Sequence, residues 1–185
     1  MKATIIAIFL AAAGGAFLPL SGQDQRNTPI TVNLIVEGSE ELAGVLNDVG
    51  SRLSDSLVDG ILQNGDSLTI WSAGESPEIL YSQTISAASD KENIKKILKN
   101  LPARGDSADF AGALRQIPQR AGRNIQLTLL VNASHGTLSP AISGPSAQFI
   151  RYSRVEEYSG WRMLVIAQGI DDRVRQAAAA FFAGN

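Results

Sequence analysis

Residues 30–36, ITVNLIV, form a nearly unbroken run of apolar and β-branched side chains. A strand that is wet on one face alternates polar and apolar residues. A run without that alternation suits a strand covered on both faces, in the middle of a sheet. Directly after it, Leu42, Val45, Leu46, Val49 and Leu53 recur at helical spacing, with Leu57, Ile61 and Leu62 extending the stripe toward the stop signal QNGD. A buried strand feeding an amphipathic helix calls for a parallel neighbour, since the chain must cross back over the sheet to re-enter it.

The rest of the chain continues in that style. SLTIWSA (67–73) and EILYSQTI (78–85) read as a second and third strand separated only by GESP, so a hairpin is expected and the third strand should run antiparallel. SDKENIKKILKNL follows as a Ser/Asp-capped helix with Ile94, Ile97 and Leu98 on one face. Lys91, Lys95, Lys96 and Lys99 then form its wet side. DFAGALRQIPQRA predicts a further helix, cut short or kinked by Pro118. IQLTLLV (125–131) and RMLVIA (162–167) are the fourth and fifth strands. Between them, Phe149, Ile150, Val155 and Tyr158 suit an irregular helix, and Asp171 or Asp172 caps a last helix ended by Gly184. The order β-α-β-β-α-α-β-α-β-α implies an α/β fold, a mostly parallel central sheet with one antiparallel edge strand and helices on both faces.

The amino terminus, MKATIIAIFLAAAGGAFLPLSGQDQ, has one lysine, an uncharged apolar stretch from Thr4 to Leu20 and then small and polar residues. That is the layout of a secretory signal, read here as residues 1–22, with residues 23–185 as one domain. The expected location is periplasmic or secreted. The stretch is near the lower length limit of a membrane span, so membrane attachment is expected only if it stays uncleaved. Lys2 is the only charge in that leader, so the remaining domain carries 15 − 18 = −3. Mild acidity argues against nucleic acid or anionic lipid as the main partner. With no cysteine, the chain has no disulfides, no thiol catalysis and no cysteine-ligated metal, and packing must supply its stability.

Three stretches, in order, resemble the von Willebrand factor type A family. VNLIVEGSEEL (32–42) stands where that family has a buried strand ending in D-x-S-x-S. LQNGDSLTIWSA (62–73) is similar to its L-x-x-G-D-x-V-x-L-x-x-F turn, and GDSADFAGALRQI (105–117) to its G-x-T-D-F-x-x-A-L helix start. The likeness covers residues 28–183 and implies the family's three-layer, Rossmann-like fold. It also implies a crevice at the carboxyl ends of the strands where a divalent cation, held by oxygen ligands, meets a partner's carboxylate.

Carried over residue by residue, the cage is degenerate. Glu37 stands at the first aspartate, Ser39 matches the first serine, and Glu41 replaces the second. The threonine falls at Ala108, which has no ligand oxygen, with Ser107 before it and Asp109 after it. The acidic residue after strand four is Asn132, or His135 in an alternative alignment. Glutamate is one methylene longer than aspartate, which displaces an oxygen beyond magnesium's tolerance. Mg²⁺, Mn²⁺ or Ca²⁺ in an altered cage, with Glu37, Ser39, Glu41, Asp109 and Asn132 as candidate ligands, is therefore the alternative reading. The leading one needs no cofactor: Ser39 caps a helix whose first turn holds Glu40 and Glu41, where carboxylates gain from the macrodipole.

The expected function is extracytoplasmic protein–protein binding or scaffolding without catalysis, at a surface built from Glu37, Ser39, Glu41, Ser107, Asp109, Asn132 and His135. Residues 137–148 would form an adjustable loop over it. A serine hydrolase is the remote alternative. Gly65-Asp66-Ser67-Leu68 spells the GDSL signature, but it precedes a strand rather than following one, and no D-x-x-H supplies a base. On this reading Asp66 orders a turn. His135, the single histidine, is a solvated loop residue, and Trp71 and Trp161 are packing residues.

Overall fold

The computed structural model describes residues 29–117, 125–133 and 153–168. The leader, His135, the 137–148 loop, the Pro118 region and the proposed last helix lie outside the described residues. The described chain forms one six-stranded sheet: β1 (Thr31–Glu37), β2 (Ser67–Ala73), β3 (Glu78–Thr84), β4 (Gln126–Ala133), β5 (Ser153–Glu157) and β6 (Trp161–Gln168). Three α-helices accompany it, α1 (Leu46–Leu53), α2 (Ala88–Leu98) and α3 (Phe110–Gln116). A 3₁₀ turn, Glu40–Val45, leads into α1, and a π-helical turn, Ser54–Asp59, follows it.

The strands lie in the order β3-β2-β1-β4-β6-β5. β1 is central, parallel to β2 on one side and to β4 on the other. This is what its unalternating sequence requires, since Val32 to Val36 are all buried. β3 is the antiparallel edge strand that the GESP link predicts. The far side differs from expectation. Val155 belongs to a strand, β5, rather than to an irregular helix; β5 turns tightly into β6, which therefore runs antiparallel to it, and β6 is antiparallel to its other neighbour β4 as well. A hairpin can join only antiparallel neighbours. Its turn uses Gly160 at φ +87°, a backbone region that side-chain-bearing residues avoid. Four strands (β1, β2, β4, β5) still share one direction, and two (β3, β6) oppose it.

Alternate residues of β1 point to opposite sides and define two cores. Val32, Leu34 and Val36 join Val49 and Leu53 of α1 and Ile94 and Leu98 of α2 in the larger one. Ile35 joins Trp71, Leu130 and Leu164 with Phe110, Ala113 and Ile117 in the smaller one, so helices lie on both faces of the sheet. Each such aliphatic side chain contributes roughly 1.5–3 kcal/mol through its removal from water. α3 ends at Gln116, and Ile117 is extended (ψ 120°). This is the conformation a residue must take before the proline that the sequence places next.

The β5–β6 turn is fastened to α1. Trp161, fully buried, stacks on Tyr158 with ring centres 4.0 Å apart, and its indole N–H donates to Asp48 at 2.7 Å. Arg52 lies over the Tyr158 ring, 4.9 Å from its centre, and donates from Nε to Asp48 at 3.0 Å. The Trp161 indole, aided by Arg52 and opposed by partial burial, holds the Asp48 carboxyl below the usual aspartate value.

Candidate functional site

The carboxyl ends of β1, β2 and β4 meet at one rim, which is where ligands of open α/β sheets are received. The chain leaves β1 through Glu37-Gly38-Ser39. Gly38 is required by close approach: a Cβ there would lie 2.7 Å from the Ser72 hydroxyl oxygen and 3.0 Å from the Gly74 nitrogen. Its N–H donates to Ala73 O at 3.0 Å, and its carbonyl accepts from the Arg104 N–H. Glu40 N–H donates to Gly105 O and Asp109 N–H to Gly74 O, both at 3.0 Å. Backbone hydrogen bonds thus stitch three segments together: the β1 exit, the β2 exit and the 104–109 loop.

Glu37 is the centre of this rim, and it faces inward. Its side chain is 4% exposed. Oε1 accepts from the Ser39 hydroxyl in a short hydrogen bond, and Oε2 accepts from the Ala133 backbone N–H at 2.7 Å. Burying a carboxylate is costly unless both oxygens find donors, and here one donor comes from the next corner and the other from the end of β4. β1 and β4 are thereby tied at their upper ends. Asn132, 1% exposed, donates its amide to Ala133 O at 2.8 Å, and its side-chain oxygen accepts from Arg162 Nε at 3.2 Å, extending the polar row across to β6.

The capping role expected of Ser39 is not what the structure shows. Ser39 occupies the position before the 3₁₀ turn with extended angles (φ −84°, ψ 161°), yet its side chain makes no capping hydrogen bond. The hydroxyl has one proton, and it goes to Glu37, a charged acceptor two residues back. Glu40 and Glu41 do fall in the first turn, exposed, as the macrodipole favours.

Asp109 is already employed as well. It caps α3, accepting from Gly112 N–H at 2.7 Å, with Arg115 at 3.9 Å. Ser107 is exposed, and Ala108 packs against the smaller core. Hydrogen bonds therefore join Glu37 and Ser39 through their side chains and bring in Asn132 through its neighbour Ala133. Asp109 and Ser107 are brought to the same rim only by the backbone of their loop. Glu41 lies at its outer edge, and His135 is outside the described residues. Among the described residues no group of three or more His, Cys, Asp or Glu side chains converges as a metal site.

Sequence reasoning missed the Ala133 N–H as Glu37's partner. It is a backbone group 96 positions away, so no residue type signals it. The one available hint was a glutamate at the end of a wholly apolar strand, which must find donors if it stays buried.

The GDSL serine lies at the other end of the sheet, where β2 begins. Asp66, 1% exposed, accepts from Ile30 N–H at 2.9 Å and Gln63 N–H at 2.8 Å, and so orders the turn as expected. The Ser67 hydroxyl pairs with Thr84 across the hairpin at 3.1 Å.

No family model and no solved structure matches the chain. It is similar to an uncharacterized protein of Treponema pallidum (strain Nichols), 22% identical over 172 residues, which span 85% of this chain and 77% of that protein. That likeness brings no activity with it.

Proposed function

We propose that the chain is a von Willebrand A-like binding module that works outside the cytoplasm. In this reading it presents the rim formed by residues 37–41, 104–109 and 132–133 to a protein partner, without a cation and without catalysis. The observation that carries this reading is the Glu37 carboxylate, whose two oxygens are bonded to Ser39 and Ala133 inside the protein. A cation seated there would have to share the oxygens that these two donors already hold, or displace one of them and leave it unpaired. Ala108 supplies no replacement oxygen. The three family-like stretches and the position of β1 between β2 and β4 support the family reading, while the reversed β6 departs from its pattern.

The exposed side chains that a partner would meet are Glu40, Glu41, Asp106 and Ser107, with Arg104 among them. Their predominantly acidic character favours a partner surface carrying lysine or arginine. The test is affinity capture from the organism's envelope fraction with the full chain, in EDTA and in magnesium, beside a Glu40→Lys/Glu41→Lys variant that should fold normally. The same partner retained in EDTA and lost by the variant fits the proposal. Capture that needs magnesium would favour the altered-cage alternative instead.

A further inference from the structure

The other end of the sheet order carries a surface that the rim does not use. Among the described residues β3 is an edge strand, and its chain from Ser82 to Thr84 is exposed. The direction of its free backbone groups can be read from the turn beside it. Ile85 donates its N–H to Asp66 O at 2.8 Å, and its carbonyl accepts from Gly65 N–H at 2.8 Å, so both of its groups face the β2 side. In an antiparallel pair these directions alternate along the strand. Gln83 and Tyr81 therefore bond inward to β2, while the N–H and C=O groups of Ser82 and Thr84 point away from the sheet.

Edge strands are normally blunted by lysine, proline or a bulge. Residues 78–84, EILYSQT, contain no lysine, arginine or proline, and their single charge, Glu78, is at one end. The one irregularity in the β2–β3 pairing falls opposite Ile70 and Trp71, leaving Tyr81–Thr84 in regular register. Ile79, 54% exposed, is the exposed large hydrophobic side chain among the described residues.

We propose that β3 pairs antiparallel with β3 of a second copy of this chain, across a two-fold axis at Gln83, so that two sheets join into one. In that register Ser82 lies opposite Thr84 of the second copy, and Thr84 opposite its Ser82. All four residues have their free backbone groups turned toward each other, which gives four backbone hydrogen bonds. The hydroxyl pairs within one copy, Thr69–Ser82 at 3.0 Å and Ser67–Thr84 at 3.1 Å, then continue as two rows across four strands. Ile79 is carried toward Ala87 of the second copy, and the two Glu78 side chains fall at opposite ends, where they do not repel. A parallel pairing would set Glu78 beside Glu78. A strand from a different protein would satisfy the backbone but has no reason to continue both hydroxyl rows. So short a joint falls below the roughly 1,200 Å² of a permanent interface, so the dimer forms and dissociates with concentration. This inference is independent of the rim reading.

The test is sedimentation equilibrium of the full chain, as its host processes it, over a wide concentration range. A monomer–dimer equilibrium is expected. Ser82→Pro removes an outward N–H and leaves the backbone ladder to β2 in place, losing there only the exposed Thr69–Ser82 hydroxyl pair, because proline is tolerated on the open side of an edge strand. It deletes two of the four bonds, each worth a factor of about five, so self-association should weaken roughly 25-fold with little change in melting temperature. Ile79→Lys, on the surface, should weaken it as well, and it decides the matter if Ser82→Pro does not fold. A chain that stays monomeric at every concentration, a dimer equally tight in the variants, or assembly beyond the dimer would each overturn the proposal.

Discussion

The two ends of the sheet each bury a carboxylate, and they do so by different means. At the lower end Asp66 collects backbone N–H groups from Ile30 and Gln63, the first just before β1 and the second three residues upstream. At the upper rim Glu37 collects one hydroxyl and one N–H, from Ser39 and Ala133. Asp66 closes a turn whose shape depends on it. Glu37 joins two strands that β1–β4 pairing already holds together. An acidic residue at a strand end is therefore not by itself a ligand site. Its meaning depends on which donors the fold delivers to it.

The largest effect should come from the lower end. Asp66→Ala strands two amide N–H groups at a site 1% exposed and should cost about 3–4 kcal/mol of stability in urea unfolding. Glu37→Gln keeps an oxygen for the Ala133 N–H and turns its amide NH2 toward the Ser39 oxygen, so a charge-assisted bond becomes a neutral one. It should cost about 2 kcal/mol, and Ser39→Ala about 1 kcal/mol, with the double variant costing less than the sum because both remove the same bond. If Glu37→Gln proved more damaging than Asp66→Ala, the ranking of the two ends would be reversed.

A smaller effect separates satisfied from unsatisfied polar groups. The Asn33 amide nitrogen, on the same face of β1 as Glu37 and 3% exposed, has no hydrogen-bond partner among the described residues. Asn33→Leu should therefore change stability by only about 0.5 kcal/mol in either direction, since it removes an unmet donor rather than a made bond. The smallest effect concerns Asp48, a half-buried carboxylate that belongs to neither end. Its folded-state value is held below 3.8, first by the Trp161 indole and then by Arg52. The stability it adds is therefore whole above that ordinary value and is lost as pH falls through the depressed one. The melting-temperature gap between the wild type and Asp48→Asn should be constant from about pH 7 to pH 5 and should close below about pH 4.

These differences also show what the sequence could carry. β1 and β2 were legible because β-branched runs and turn residues act locally, and β2 begins and ends where SLTIWSA does. Asp66 was legible for the same reason, since its partner Gln63 lies three residues away. The reversed β6 was not. Its direction is set by a turn at Tyr158–Gly160 that resembles any polar loop until Trp161 is seen buried against Asp48. The true partner of Ser39 was hidden because a serine before a helix serves equally well as a cap or as a donor to a nearby acid. The choice follows from Glu37 being buried, a property of the whole fold.

The direct test of a rim closed by its own hydrogen bonds is thermal unfolding of the full chain titrated with magnesium, manganese and calcium, beside Glu37→Gln. A cation bound at a hundred times its dissociation constant would add about 2.7 kcal/mol. With both Glu37 oxygens held internally, none of the three should stabilise the wild type. A rise in melting temperature that saturates with cation and disappears in Glu37→Gln would contradict it.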